Sequence, residues 1–170
     1  MFKKLITTLL VALFLSGCVT KAKRVETSHD VFFSTNVPES KAIIFFTCGT
    51  LTTKSWLGEF ETNLGGCSYK IDSIQYTQID EGTVSKIILD SKEHTLEFRN
   101  TFDNNFVLKK VKLNAGDVLL ATLNHTVLVG PIGGLIGGLT NQYIYDIDID
   151  RENVVSKVVN KTPVFMTKSK

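Results

Sequence analysis

Val84-Ser85-Lys86-Ile87-Ile88-Leu89-Asp90-Ser91-Lys92-Glu93-His94-Thr95-Leu96-Glu97-Phe98-Arg99 is the stretch on which the reading of the fold turns. Val84 to Leu89 is a run of β-formers. His94 to Arg99 alternates, with Leu96 and Phe98 on one face and Glu97 and Arg99 on the other. That period of two belongs to a half-buried strand. Asp90-Ser91-Lys92-Glu93 supplies turn chemistry between them, so the stretch predicts a hairpin with a four-residue turn.

The same signals repeat outward. Asp103-Asn104-Asn105 turns the chain, Phe106 to Leu113 is the next strand, and Asn114-Ala115-Gly116-Asp117 the next turn. Val118 to Leu123 is apolar enough to be covered on both faces. Tyr143 to Asp150 alternates again, and residues 151–159 suit a short helix or a last strand. Upstream, Tyr69 to Gln78 alternates loosely, and Pro38 marks a turn before the strand Ala42 to Thr47. No segment sustains a helical stripe. Short strands at roughly ten-residue spacing predict a mainly β fold, a small antiparallel sandwich or partly open barrel over residues 41–170.

The opening MFKKLITTLLVALFLSGCVT reads as a signal. Lys3 and Lys4 precede an eleven-residue run, Leu5 to Leu15, which is too short to span a bilayer. Leu15-Ser16-Gly17-Cys18 resembles the lipobox of bacterial lipoproteins at all four positions. The resemblance implies removal of residues 1–17, diacylation of the Cys18 thiol, and a further acyl chain such as palmitate on the new amino group. Two or three chains hold where one does not. Asp in the position of Val19 tends to retain Gram-negative lipoproteins in the inner membrane. Its absence implies the outer membrane, with the domain facing the periplasm. Residues 18–40 read as a tether that becomes ordered near Val31-Phe32-Phe33.

The mature 153 residues suffice for one domain. Two of the 19 Lys+Arg lie in the signal, so the mature chain balances 17 against 17. Near-neutral charge gives no argument for nucleic acid. Lys21-Ala22-Lys23-Arg24 reads as a solvated tether in preference to a headgroup contact, because three cations fall short of the usual cluster. Besides Cys18, Cys48 and Cys67 remain, an even pair in an oxidising compartment, and the expectation is a disulfide. It would staple the base of the odd segment between them, read as a strand or hairpin with a long loop.

From Val84 onward the order of features resembles the PEGA-type lipoproteins of Gram-negative envelopes. KIILDSKEHTLEFRN supplies a strand, tight turn and His-starting strand, and GGLIGGLTNQYIYDI a Gly-rich stretch leading to an aromatic strand. The Pro-Glu-Gly-Ala-like turn is missing, its place taken by the Cys48–Cys67 segment. The likeness implies a small β-sandwich on a lipid anchor, used for binding and not for catalysis.

Candidate chemistry is sparse. Asp146, Asp148 and Asp150 share one strand face, but the sixth and twelfth positions of an EF-hand loop would be Arg151 and Lys157, so the face reads as solvated. His29, His94 and His125 belong to no Gly-x-Ser-x-Gly or His-Glu-x-x-His pattern, and His94 and His125 read as surface or capping residues. Asn124-His125-Thr126 matches a glycosylation sequon by chance. Trp56, Phe60, Tyr69 and Tyr76 suit either sugar stacking or, more commonly for such residues, the core. No metal and no cofactor is expected.

Gly130-Pro131-Ile132-Gly133-Gly134-Leu135-Ile136-Gly137-Gly138-Leu139 is the most function-like feature. A membrane helix over Val118–Leu139 would contain Asn124, His125 and Pro131, which argues against it. A loop between two strands suits the glycines. Ile132, Leu135, Ile136 and Leu139 then either cover one end of the fold or stay exposed as a partner-binding surface. The expectation is a non-enzymatic outer-membrane lipoprotein, a binding or envelope-assembly accessory held to the membrane by its lipid, with an envelope protein as partner, the Gly130–Leu139 loop together with the Cys48–Cys67 segment as its contact surface, and its oligomeric state open. The rivals are a cell-envelope hydrolase and a membrane-inserting oligomer formed through Gly130–Leu139.

Overall fold

The computed structural model describes residues 20–21, 23–24, 28–55, 57–72, 74–100, 106–131 and 139–165. The chain is mainly β, in two facing sheets. The strands are β1 (Thr20–Lys21), β2 (Lys23–Arg24), β3 (Lys41–Ser55), β4 (Gly58–Asn63), β5 (Gly66–Ile71), β6 (Ile74–Asp80), β7 (Thr83–Asp90), β8 (Glu93–Asn100), β9 (Phe106–Lys112), β10 (Val118–Pro131), β11 (Leu139–Asp150) and β12 (Thr162–Phe165). Among the described residues two single-turn helices accompany them, α1 (His29–Phe33) and α2 (Val154–Val158).

The smaller sheet has the order β1-β6-β5-β8-β9 and the larger β11-β10-β3-β7-β12-β2, with β4 beside the far half of β3. Most pairings are antiparallel. Three are parallel: β3 with β10, β7 with β12, and β1 with β6. Close sequence neighbours pair antiparallel through short turns. Strands far apart in sequence, such as β3 and β10, are free to run the same way.

The stretch Val84 to Arg99 is a correction to the hairpin reading. Its two strands form and its turn is Ser91-Lys92, but β7 and β8 do not pair. β7 lies in the larger sheet, antiparallel to β3, and β8 in the smaller, between β5 and β9. The turn is a corner that carries the chain from one sheet to the other. Likewise Tyr69 to Gln78 is not one strand: β5 and β6 meet at a turn at Asp72.

Strand β3 shows why the layers stack. Ala42 to Cys48 is buried without interruption. Ala42, Ile44, Phe46 and Cys48 point between the sheets, with Tyr69, Ile79, Leu96, Phe98, Leu119, Ala121, Leu123 and Ile147. Ile43 and Phe45 point the other way, under Phe32 and Phe33 of α1, Val154 and Val158 of α2, and Leu120. A strand covered on both faces reads as a continuous apolar run. Val118 to Leu123 is covered on both faces as expected from its sequence, Leu119, Ala121 and Leu123 between the sheets and Leu120 on the other side, with Val118 and Thr122 half-buried. The stretch expected as tether thus contributes Phe32 and Phe33 to the core, and α1 is fixed by Lys86, whose ammonium donates to Phe32 O at 2.9 Å and Ser34 O at 2.6 Å.

At the centre of the sandwich Phe46 and Tyr69 stack at 4.1 Å between ring centroids. The Tyr69 hydroxyl meets Ser85 Oγ at 2.5 Å, so its buried polar end is satisfied across the two sheets.

Candidate functional site

Strand β3 outlasts the sandwich. Its first half, Lys41–Phe46, pairs with β7, and its second, Thr50–Ser55, with β4. On its other side β10 runs alongside for the whole distance, from Val118 beside Ile43 to Val129 beside Ser55, and β11 follows β10 to Pro131 opposite Leu139. The result is a four-stranded arm, β4-β3-β10-β11, extending past the disulfide. All six residues of β4 are exposed.

Two features mark the base of the arm. Cys48 and Cys67 form the expected disulfide, with Cα atoms 5.8 Å apart, tying β3 to the start of β5 in the opposite sheet. Next to it β3 carries a bulge: Cys48 to Leu51 spans three residues where Leu123 to His125 of β10 spans two. The bulge leaves the Thr50 N–H to donate to Asn124 Oδ1 at 3.2 Å, and Asn124 Nδ2 in turn donates to Asp148 at 3.0 Å. Bulges bend a sheet and re-aim the strand beyond them.

Beyond the bulge, register decides which residues share a face. Leu51, His125 and Tyr145 lie side by side on the face that continues the core, then Thr53, Val127 and Phe60. His125 is buried and stacks on Tyr145 at 4.2 Å. Phe60 and Leu57 are 60% and 68% exposed. On the opposite face Glu59 pairs with Lys54 at 3.1 Å.

At the tip the hairpin turn of β3 and β4 is held by Ser55, whose hydroxyl donates to Gly58 O at 3.2 Å and accepts from the Leu57 N–H at 3.2 Å. Gly58 has φ 134°, which side-chain-bearing residues avoid. The same end receives the flanks of the glycine-rich segment. Gly130 pairs with Thr140 and Leu139 with Pro131, one register step beyond Val129 and Ser55. The Cys48–Cys67 segment and Gly130–Leu139 are expected from the sequence to share one contact surface, and the register places the β3–β4 turn of the first and the flanks of the second, Gly130 and Leu139, at one end. Ile132, Leu135 and Ile136 lie outside the described residues, as do Trp56 and Cys18. The window Val118–Leu139, weighed as a helix, is strand through Pro131, and among the described residues no helix is long and apolar enough to cross a membrane.

The histidines correct the surface reading. His94 and His125 are only 3% and 4% exposed. His94 points inward from β8, on the same side as Leu96 and Phe98, at the end of the sandwich opposite the arm. Its Nδ1 lies 2.6 Å from Asp72 Oδ2 and its Nε2 2.8 Å from Asp90 O. With both nitrogens engaged inside the fold, this ring has none free for a substrate proton. Asp72 occupies the left-handed region at φ 47°. It is held there by the Thr95 N–H on Oδ1 at 2.8 Å and by its own N–H donating to Thr95 O at 3.0 Å. Burial raises the Asp72 pKa, but the Thr95 and His94 hydrogen bonds outweigh it, and the net shift is downward. His29 is exposed, its Nε2 2.9 Å from Val159 O.

Asp146 and Asp148 are exposed on the outer face of β11, while Ile147 is buried. Asp150 pairs with Lys157 of α2. Among the described residues no three His, Cys, Asp or Glu side chains converge as a metal site. Tyr69 is core and Phe60 is solvent-facing, so the aromatics considered for sugar stacking are divided. Compared with protein-family models, curated proteins and solved structures, the chain matches none of them.

Proposed function

We propose that the chain is a lipid-anchored, non-enzymatic accessory of the bacterial outer membrane, and that the tip of its arm is the surface by which it engages an envelope protein. The observation that carries this reading is the register of the arm. Val129 lies beside Ser55, which faces Gly58, and Pro131 lies opposite Leu139, so the flanks of the apolar glycine-rich segment and the β3–β4 turn share one end of a sheet extension. An extension of this kind contributes little to the core, since every residue of β4 is exposed. Exposed apolar side chains gathered at one end of a domain suit a contact with another macromolecule. Acylation of Cys18 would hold the domain at the membrane while the arm reaches its partner.

Site-specific photo-crosslinking in intact cells tests the contact, with the probe at Leu135 and a control probe at Thr95 on β8. A discrete protein adduct at Leu135 alone is expected and would identify the partner. Lipid adducts alone, or equal labelling at both positions, would overturn the docking reading. Cys18→Ser tests the anchor separately: the chain should leave the membrane fraction.

A further inference from the structure

We propose that the domain sits directly on the bilayer by the end of the sandwich that carries the Asp72–Ile74 turn, with the arm pointing away from the lipid. This seat rests on acylation of Cys18 and adds to it the protein surface that meets the headgroups.

Strand pairing begins almost at the lipid. Thr20 lies beside Thr77 and Lys21 beside Gln78, parallel to β6. Lys23 lies beside Phe165 and Arg24 beside Val164, antiparallel to β12. The entering chain is thus held to both sheets, β1 to the smaller and β2 to the larger, with Ala22 between them. These residues were expected to belong to a free tether, and they are bound to the fold instead. Cys18 precedes Thr20 by two residues, and two residues span no more than about 7 Å. A cysteine whose acyl chains lie in the bilayer therefore brings Thr20 and the neighbouring edge of β6 to the headgroups.

The direction of the pairings selects the end. β6 runs from Ile74 to Asp80, and β7 returns from Thr83 to Asp90. Asp90 faces Lys41, the first residue of β3, whereas the arm ends at Ser55, the last. Ile74 and Lys41 therefore share the end opposite the tip. β1 is parallel to β6, so the chain traced backward from Lys21 to Thr20 descends toward Ile74. β2 agrees: β12 is parallel to β7 and β2 antiparallel to β12, so Lys23 lies nearer that end than Arg24.

The surface at this end fits the placement. Ile74 is 52% exposed, while Ile71, its register partner, is buried. One exposed isoleucine is ordinary on a surface in water, but at this place it meets the lipid boundary. The charges around it are largely matched: Lys41 by Asp90, Lys110 by Glu93 at 3.3 Å, and Arg151 by Asp117 at 2.7 Å. Exposed Lys92 and Lys112 suit anionic headgroups but are too few to bind them unaided, so the short link to Cys18 sets the seat. The 15 residues of β3, at about 3.3 Å each, then hold the tip about 45 Å from that end, where it is free for a partner.

The test is fluorescence of the acylated full chain in vesicles of phosphatidylethanolamine and phosphatidylglycerol that carry a headgroup quencher. A fluorescent amino acid is introduced at exposed Ile74 or, as reference, at exposed Glu59 on β4. Quenching at Ile74 should exceed that at Glu59 by about fivefold or more, since contact quenching does not act across about 45 Å. A flexible Gly/Ser insert of about ten residues between Val19 and Thr20, with a mean reach of about 17 Å, should lower the quenching at Ile74 toward the Glu59 value while the chain stays with the vesicles. Equal quenching at the two positions, or quenching at Ile74 that the insert leaves unchanged, would overturn the seat and leave the lipid anchor standing. An N-terminal peptide without acyl mass, read by mass spectrometry, would overturn the anchor and the seat together.

Discussion

Gly49 lies so close to Asn124 that a Cβ added to it would sit 2.1 Å from Asn124 Oδ1 and 2.9 Å from the carbonyl oxygen of Leu123. The glycine is therefore the contact on which the bulge at the base of the arm closes. The Asn124 side chain could swing aside only by abandoning the Thr50 N–H, and the Leu123 carbonyl belongs to a ladder that cannot move alone. Gly49→Ala is expected to cost about 1–3 kcal/mol. Urea denaturation checks it, and an unchanged midpoint would show that the bulge re-forms without the glycine.

The disulfide beside it stabilises by closing a loop. The cysteines are 19 residues apart in sequence, which corresponds to about 3 kcal/mol by chain entropy. Both sulfurs belong to buried residues, so the double variant Cys48→Ala/Cys67→Ala also loses packing. A fall in Tm of about 6–12 °C is expected for a domain of this size. Calorimetry of the double variant against the oxidised chain measures it. A fall of one or two degrees would mean that the unfolded chain gains little freedom when the staple is removed.

The staple was legible because counting cysteines requires no geometry: once Cys18 is assigned to the lipid, two remain. The sandwich was legible from alternation, and the double-sided burial within Val118–Leu123 from a run whose one polar residue is Thr122. The corner at Ser91-Lys92 was not. Leu96 and Phe98 announce a strand and its inward face, but alternation names no partner, and β8 pairs with β5 and β9 in place of its sequence neighbour. His94 was misplaced for a related reason. A polar residue at a strand start reads as exposed unless its acceptors are known, and Asp72 lies 22 residues away. The arm was hidden because β4, Gly-Glu-Phe-Glu-Thr-Asn, has no buried face to give it a pattern.

Acid should destabilise the chain through four carboxylates. Asp72 and Asp117 have pKa values that burial raises but hydrogen bonds lower further, from Thr95 and His94 in one case and from Asn114 and Arg151 in the other. Asp90 and Asp150 are lowered by Lys41 and Lys157. A folded pKa below the unfolded value contributes stability above the unfolded pKa, and that contribution is lost as pH falls through the folded one. The loss therefore begins near pH 4, the ordinary range of aspartate, and continues below it. Denaturant midpoints measured from pH 6 to pH 2 should fall across this window. Asp117→Asn, which weakens the pairing with Arg151 at 2.7 Å, should flatten part of the fall. A curve unchanged by the substitution would remove Asp117 from the account.

Lys86 holds α1 in place by an unusual route. Burial alone lowers the pKa of its ammonium, yet the group reaches two carbonyls at the end of the helix and lies 5.8 Å from the centre of the Phe45 ring. Lys86→Met keeps the apolar stem and removes the donor. Loss of the ammonium hydrogen bonds to Phe32 O and Ser34 O is expected to cost about 1–3 kcal/mol, felt first as loosening of α1. Limited proteolysis within residues 28–40 should be faster in the variant. Equal rates would mean that Phe32 and Phe33 hold the segment by packing alone.

The arm should open before the body does. Among the described residues the strand pairing of β4 is with β3 alone, and all six of its residues are exposed, so nothing apolar holds it closed. The first half of β3, by contrast, lies between β7 and β10 with Ala42 to Cys48 buried on both faces. Local opening free energies follow such differences in burial. Hydrogen exchange of β4 amides is therefore expected to proceed by local fraying with little dependence on denaturant, while Ile43 to Phe46 exchange only through global unfolding. A partner bound at the tip would change that order: it would protect β4 and leave Ile43 to Phe46 as they were. Protection of β4 equal to that of β3 in the isolated chain would instead make the arm part of one cooperative unit with the sandwich.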